Sequence, residues 1–166
     1  GGITSFIDMP NTNPQTTTQK ALKDKLDLAS NVSIANYGFL FGGTNDNLED
    51  IKTLDVTQAA GLKLFLGSST GNMLVDNEQV LKKIFSITDL PIAVHCEDEK
   101  MIRKNLAEQI AKYGGDIPIE KHPEIRSKAA CYRSSSRAIQ LAKATGARLH
   151  VFHLSTAIET ELFSNE

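Results

Sequence analysis

The sequence predicts an α/β fold, in which helices cover a parallel β-sheet, on two observations. Five apolar runs of strand length recur at residues 3–9, 32–41, 61–66, 91–95 and 148–154. Segments with helical periodicity lie between them, so strands and helices alternate along the chain. Because the runs are nearly continuous in Val, Ile, Leu and Phe, they are typical of buried parallel strands.

The segments between the runs each carry one apolar stripe, as expected for helices that lie on a sheet. Cap and turn residues mark their ends: residues 45–47 precede a short helix, Asp76 is an N-cap candidate, and Gly146 ends the last long helix. We also expect an extended loop over residues 113–123, which are rich in Gly, Pro and charge, and a helix over residues 157–166.

Alternation of this kind suits two architectures, a doubly wound open sheet or a TIM-type (β/α)8 barrel. About five strands are visible, whereas a closed barrel needs eight strands and about 250 residues. The chain also opens directly in an apolar run and stops in polar residues. A barrel therefore requires residues 1–166 to be a partial barrel, and we expect a fragment of a larger catalytic domain.

The composition excludes several classes of function. With 18 Lys and Arg against 20 Asp and Glu, the net charge of -2 gives no basic field for nucleic acid or an anionic membrane. The two cysteines, Cys96 and Cys131, have neither disulfide-framework nor zinc-knuckle spacing, and no apolar run is long enough to span a bilayer. We expect a cytoplasmic protein that acts on small molecules.

Polar residues at the C-terminal ends of the predicted strands are the candidate site, because function collects there in either architecture. Lys63 lies inside the apolar run GLKLFL, where burial would lower the pKa of its amine. A neutral amine can add carbon dioxide, and the resulting carbamate could bridge two metal ions. An ion pair, or a side chain that extends out of the strand end, accounts for the same residue equally well.

Two histidines are candidate metal ligands. His95 closes the run 91–95, a position from which zinc can be held. His150 and His153 are three residues apart, so a regular strand points only one of them inward. His153, nearer the C-terminal end, is the better ligand candidate, and we expect His150 to pack against the helix layer. A hydrogen-bonded core or capping histidine is the alternative in each case.

Other polar residues have weaker signals. Glu97 could orient a neighbouring ligand, or simply begin the next helix. Asn11 follows Pro10 in a turn, where its amide could contact a substrate or serve the turn alone. We expect His122 to be structural or exposed, and three arginines to be solvated or to pack on helices: Arg126, Arg133 and Arg137.

Four motifs, taken together and in order, resemble those of the dihydroorotase family. They are DMPNT at residues 8–12, GLKLFL at residues 61–66, VHCE at residues 94–97 and LHVFHLST at residues 149–156. Each motif is modest alone, but their order along essentially the whole chain is specific. The MPNT element favours dihydroorotase over its relatives dihydropyrimidinase and allantoinase.

The resemblance implies a (β/α)8 barrel of which this chain supplies about the second to sixth β/α units. It also implies two zinc ions bridged by carbamylated Lys63, with His95 and His153 as ligands of the second ion and Asn11 at the substrate carboxylate. In some bacterial members a loop aspartate bridges the metals instead of the lysine. The family's first-strand His-x-His pair and eighth-strand catalytic Asp have no counterpart here, so the chain alone should be inactive.

The implied activity is the reversible hydrolysis of the cyclic amide of dihydroorotate to N-carbamoyl-aspartate, in de novo pyrimidine biosynthesis. One alternative is a dihydropyrimidinase or allantoinase-like cyclic amidohydrolase. Another is a non-catalytic scaffold of the same fold, which we disfavour because a scaffold needs no buried lysine opposite two inward histidines. We expect a small-molecule substrate, with homo-oligomerisation left open.

Overall fold

A computed structural model describes residues 1–69 and 71–164, and these residues contain five β-strands and seven α-helices. The strands are β1 Ser5–Asp8, β2 Asn36–Gly42, β3 Gly61–Phe65, β4 Ile92–His95 and β5 Leu149–Val151. The helices are α1 Gln19–Val32, α2 Leu48–Lys52, α3 Glu78–Ile87, α4 Glu99–Tyr113, α5 His122–Ile125, α6 Lys128–Thr145 and α7 Ala157–Thr160, and a short 3-10 turn lies at Ile119–Lys121.

The strands form one parallel sheet in the order β1-β2-β3-β4-β5. A doubly wound sheet would reverse its strand order part-way, whereas successive units of a β/α barrel keep the chain order. The predicted α/β class is confirmed, and of the two predicted architectures the sequential order matches the wall of a barrel.

The two faces of the sheet differ in chemistry. Residues in register on parallel strands point to the same side, and the row Phe41, Leu62 and Ile92 is fully buried against the helices. The hydrophobic core lies on this outer face, where it includes Leu22 of α1 and Ile84 of α3. The neighbouring row, Gly42, Lys63, Ala93 and His150, points to the opposite, inner face.

Two predicted boundaries are wrong. Val32 belongs to α1, because the Ser33 N–H still donates to the Ala29 carbonyl, and β2 starts only at Asn36. The N-cap of α3 is Asn77, whose side chain accepts from two backbone N–H groups, while Asp76 accepts from the Asn45 amide instead.

Of three further predictions about the elements, one is confirmed and two differ from the structure. The cap residue Gly146 ends α6 in a left-handed conformation, with φ 74°, as predicted. The expected loop at residues 113–123 instead contains the 3-10 turn and the start of α5. The expected last helix is shorter, at Ala157–Thr160, and residues 165–166 of that prediction lie outside the described residues. Across the described ranges, no helix combines the length and apolarity needed to cross a bilayer.

Candidate functional site

Two predicted metal ligands meet at the C-terminal edge of the sheet. His95 is the last residue of β4, and its Nδ1 lies 3.0 Å from Nε2 of His153, with ring centroids 4.8 Å apart. His153 lies two residues beyond β5 and has a φ of 36°, in the left-handed region. A regular extension of β5 would point His153 toward the helices, so this local turn is what brings its ring to His95.

His150 lies elsewhere than the sequence predicted. It shares a register row with Ala93 and Lys63, which places it on the inner face of the sheet. Its ring is exposed and meets the Phe152 ring edge-on, with centroids 4.9 Å apart. The expectation that His150 packs against the helix layer is wrong, because the chain does not continue as a regular strand between His150 and His153.

Lys63 is buried, with 2% of its surface exposed. Its Nζ donates to the Leu64 carbonyl at 3.0 Å and lies 3.6 Å from the centre of the Phe65 ring and 5.6 Å from that of Phe152. Within residues 1–69 and 71–164 it forms no ion pair. Burial lowers the pKa of Lys63 to about 7, so the structure favours a partly neutral amine over either the ion-paired or the extended alternative.

Glu97 lies beside His95 and is held by an arginine. Arg126 Nε donates to both carboxylate oxygens at 2.9 and 3.0 Å, and Nη2 donates to Oε2 at 2.5 Å. His95 Nε2 lies 3.5 Å from Glu97 Oε2, too far for a full hydrogen bond. Burial alone would raise the pKa of Glu97, but the adjacent His95 ring and the Arg126 guanidinium outweigh it and lower the pKa to about 2.

Sequence reasoning misses the role of Arg126, because nothing near it in the sequence separates it from Arg133 and Arg137, which we expect to be solvated or to pack on helices. Arg133 and Arg137 do pair with exposed or helix-end carboxylates, Asp98 and Glu78. Arg126 differs because its carboxylate partner, Glu97, is buried and lies beside His95. No local pattern in the sequence signals that pairing.

A second buried carboxylate, also missed, supports the segment that carries His153. Glu159, 2% exposed, accepts hydrogen bonds from the Ser135 and Thr156 hydroxyls at 2.5 and 2.7 Å. It lines a cavity of about 30 Å³ together with His95, His153 and both cysteines.

Burial raises the pKa of Cys96 to about 11 and also raises that of Cys131, so neither thiol is suited to act as a nucleophile near neutral pH.

The predicted substrate contact, Asn11, is exposed just after β1 and forms no hydrogen bond with the described part of the chain. The residue before it, Pro10, packs against Gly42, where an added Cβ would lie 3.0 Å from the proline Cβ. Gly42 is in register with Lys63. Asn11 therefore lies at the same edge of the sheet as Lys63, with an amide free to contact a bound molecule.

The histidine pair fits one metal ion but does not complete its coordination. Two nitrogens that each bind zinc at about 2.0 to 2.1 Å in tetrahedral geometry lie about 3.3 Å apart, close to the observed 3.0 Å. In the described ranges, no three His, Cys, Asp or Glu side chains converge to hold a metal. Further ligands would have to come from elsewhere, and Lys63 can become one only by modification.

Comparison with known proteins finds relatives along nearly the whole chain. No protein-family model matches the chain. The chain is 36% identical over 160 residues to a dihydroorotase of Methanosarcina mazei, a match that covers 94% of this chain and 34% of that relative. It is also 31% identical to an allantoinase of Bacillus velezensis. An L-hydantoinase (dihydropyrimidinase) from Arthrobacter aurescens superposes with a TM-score of 0.90 at 30% identity, over 98% of this chain and 36% of that structure. Nearly the whole chain is thus similar to one part of a dihydroorotase, of an allantoinase and of a hydantoinase.

The predicted relationship to dihydroorotase is thereby confirmed at the level of homology. The chain spans about one third of the length of the amidohydrolases it matches. The individual roles of Lys63, His95, His153 and Asn11 stay predictions.

Proposed function

We propose that the full-length protein is a dihydroorotase, which reversibly hydrolyses the cyclic amide of dihydroorotate to N-carbamoyl-aspartate. The observation that carries the proposal is the pair His95 Nδ1 and His153 Nε2, 3.0 Å apart at the C-terminal edge of the sheet that buries Lys63. Two curated relatives from Methanosarcina, 36% and 35% identical, are named dihydroorotase.

Residues 1–166 are, in this proposal, part of a (β/α)8 barrel and supply about its second to sixth units. The sequential strand order and the fit to about a third of each relative support it. The inner face of the sheet, with Lys63 and His150, would then face the barrel interior.

Zinc is the metal we propose for the site, with two ions in the complete protein. His95 and His153 would hold one ion, and Lys63, once carbamylated, would bridge both. When bound, zinc would acidify a water molecule and polarise the amide carbonyl of the substrate. The chain's own contributions are ligand placement and, from Asn11, a hydrogen bond to the substrate carboxylate.

Carbamylation of Lys63 is supported by the state of its amine. Only the neutral amine has the lone pair that attacks carbon dioxide. A C–N bond forms, one C=O π bond breaks to leave its electron pair on oxygen, and the nitrogen releases a proton to give the carbamate. With a pKa of about 7, a substantial fraction of Lys63 is neutral at physiological pH, unlike a solvated lysine. The residue that moves a proton to the departing nitrogen is an aspartate that we place outside residues 1–166, so this chain alone would be inactive.

The second candidate is a related cyclic amidohydrolase. It is favoured by relatives that are named allantoinase, at 31% identity, and by the superposition on a hydantoinase. These enzymes would use the same histidine pair and differ in the contacts made to the ring substituent. In the dihydroorotase proposal, Asn11 supplies one such contact to a carboxylate.

An assay of the full-length, zinc-loaded protein with dihydroorotate, allantoin, hydantoin and a dihydropyrimidine separates these candidates. We expect turnover of dihydroorotate, cyclisation of N-carbamoyl-aspartate in the reverse direction, and loss of both in His153→Ala but not in His122→Ala, a change at an exposed histidine. Preferred turnover of a ring without a carboxylate would instead favour the alternative.

A further inference from the structure

Glu97 and Arg126 form a charged unit that touches one of the histidines. Three N–H to oxygen contacts of 2.5 to 3.0 Å join the guanidinium to both carboxylate oxygens. Geometry of this kind fixes the plane of the carboxylate as well as its position. The side chain of Glu97 is 9% exposed and that of Arg126 is 35% exposed, so the pair is shielded from water on the carboxylate side.

The two nitrogens of His95 face different partners. Nδ1 faces His153 Nε2 at 3.0 Å, while Nε2 is buried, has no hydrogen-bond partner and lies 3.5 Å from Glu97 Oε2. A hydrogen bond between these two atoms needs an approach of only about 0.3 to 0.5 Å. Nε2 would then carry the proton, and the Nδ1 lone pair would point to the space beside His153.

We propose that Glu97, anchored by Arg126, is a positioning residue that holds His95 in the Nδ1-ligating tautomer and orientation. The inference rests on the proposed function, because it concerns the metal that the histidine pair would bind. Arg126 would act without contacting the metal. By fixing the orientation of Glu97, the arginine would raise the affinity of the site for a divalent metal.

The segment that carries Arg126 is itself fixed to the helix layer. Arg126 follows α5, and the Asn105 side chain in α4 donates to the carbonyls of Glu124 and Ile125 at 3.2 and 3.0 Å. Ser127 next caps α6. Arg126 therefore extends from an anchored backbone, which suits a residue that must hold a carboxylate in one orientation.

The test measures zinc affinity of the full-length protein by competition with a chromophoric chelator, together with the visible absorption spectrum of the cobalt-substituted protein. The variants are Glu97→Gln, Arg126→Met and the double variant, which leaves no unpaired buried charge. Arg133→Met is the matched control, since Arg133 pairs with Asp98, the neighbour of Glu97, but its side chain is 66% exposed.

We expect both single variants to lose about 10- to 100-fold in zinc affinity. The double variant should lose no more than the singles, because the two residues act as one unit, and Arg133→Met should match wild type. The cobalt spectrum should change in the three affected variants. A purely structural pair would lower the thermal stability of the metal-free protein and leave zinc affinity and the cobalt spectrum of the folded fraction unchanged, which would overturn the inference.

His95→Ala distinguishes this failure from a failure of the proposed function. If His95→Ala abolishes zinc binding while Glu97→Gln, Arg126→Met and the double variant bind zinc as wild type does, the positioning role is wrong and the histidine site stands. If His95→Ala itself binds zinc normally, the proposed metal site is wrong, and the positioning role falls with it.

Discussion

Among the single residues, Lys63 has the environment that most changes its chemistry. Its amine contacts two aromatic rings and one carbonyl, and within residues 1–69 and 71–164 it forms no ion pair. Burial lowers its pKa to about 7 from an ordinary value of 10.5. Below pH 7 the folded protein must therefore bury an ammonium group, which opposes folding.

The free energy of unfolding should consequently rise with pH between 7 and 10.5, because over that window the unfolded chain binds the Lys63 proton and the folded chain does not. Lys63→Met should remove this dependence and stabilise the metal-free protein at pH 6 by on the order of 3 kcal/mol. Urea unfolding at several pH values, in buffer free of carbon dioxide, measures the effect. Lys83→Met, at an exposed position of α3, should keep the wild-type slope, and an unchanged slope in Lys63→Met would contradict the burial of a neutral amine.

The sequence predicted single residues only where the cause is local. The apolar neighbours of Lys63 predict its burial, and the position of His95 at the end of a predicted strand indicates a place at the edge of the sheet. The approach of His153 depends on a positive φ at a non-glycine residue, which no residue type in LHVFHLST signals. Glu97 and Arg126 meet across 29 residues, so their pairing is a product of the tertiary fold.

Among the secondary-structure elements, the ends of β3 and β4 pack closely against each other, and the β4 end carries His95 and Glu97. The Leu66 N–H donates to the His95 carbonyl at 3.0 Å, and Gly67 then passes directly against the backbone of Glu97. A Cβ added at Gly67 would lie 2.2 Å from the Glu97 carbonyl oxygen, a separation that backbone atoms cannot accommodate without moving.

Gly67→Ala should therefore push the β3 and β4 ends apart and lower the free energy of unfolding by about 1 to 3 kcal/mol. Gly115→Ala is the control, because no atom lies within 4 Å of its added Cβ, and its effect should stay within about 0.5 kcal/mol. Denaturant unfolding of the two variants checks this. Equal stabilities would show that the two strand ends are not packed as closely as the structure has them.

The periodicity of apolar residues predicted where the helices and strands lie. It did not always predict the residue at which each element begins or ends. The stripe of α1 runs on to Val32 because backbone hydrogen bonding continues through an apolar residue that also suits a strand. Asp76 and Asn77 are both good caps by type, and the neighbouring Asn45 amide engages Asp76. Competing local partners of this kind are not visible in a linear pattern.

In the molecule as a whole, the sheet has open edges and apolar side chains near one of them. Ile7 in β1 is 61% exposed, and Ile3 and Ile34, which lie just before β1 and β2, are 76% and 106% exposed. An unpaired strand edge with apolar neighbours is a template for association. Among the described residues, β1 and β5 are each paired on one side only. This follows from the sequential strand order that the barrel interpretation predicts.

A polypeptide of residues 1–166, produced by itself, should accordingly self-associate or aggregate at micromolar concentration. Ile7→Lys combined with Ile34→Lys should reduce association, whereas Ile119→Lys, at a position 78% exposed in the 3-10 turn, should not. Sedimentation velocity distinguishes these outcomes. A compact wild-type monomer would argue against the exposed edge as an association surface.

Metal content of the full-length protein tests the histidine pair most directly. We expect about two zinc ions per chain in the wild type, fewer in both His95→Ala and His153→Ala, and no change in His122→Ala. Elemental analysis after dialysis against zinc measures all four proteins under one condition. No bound metal in the wild type, or equal content in all four, would contradict the amidohydrolase site and favour a non-catalytic scaffold.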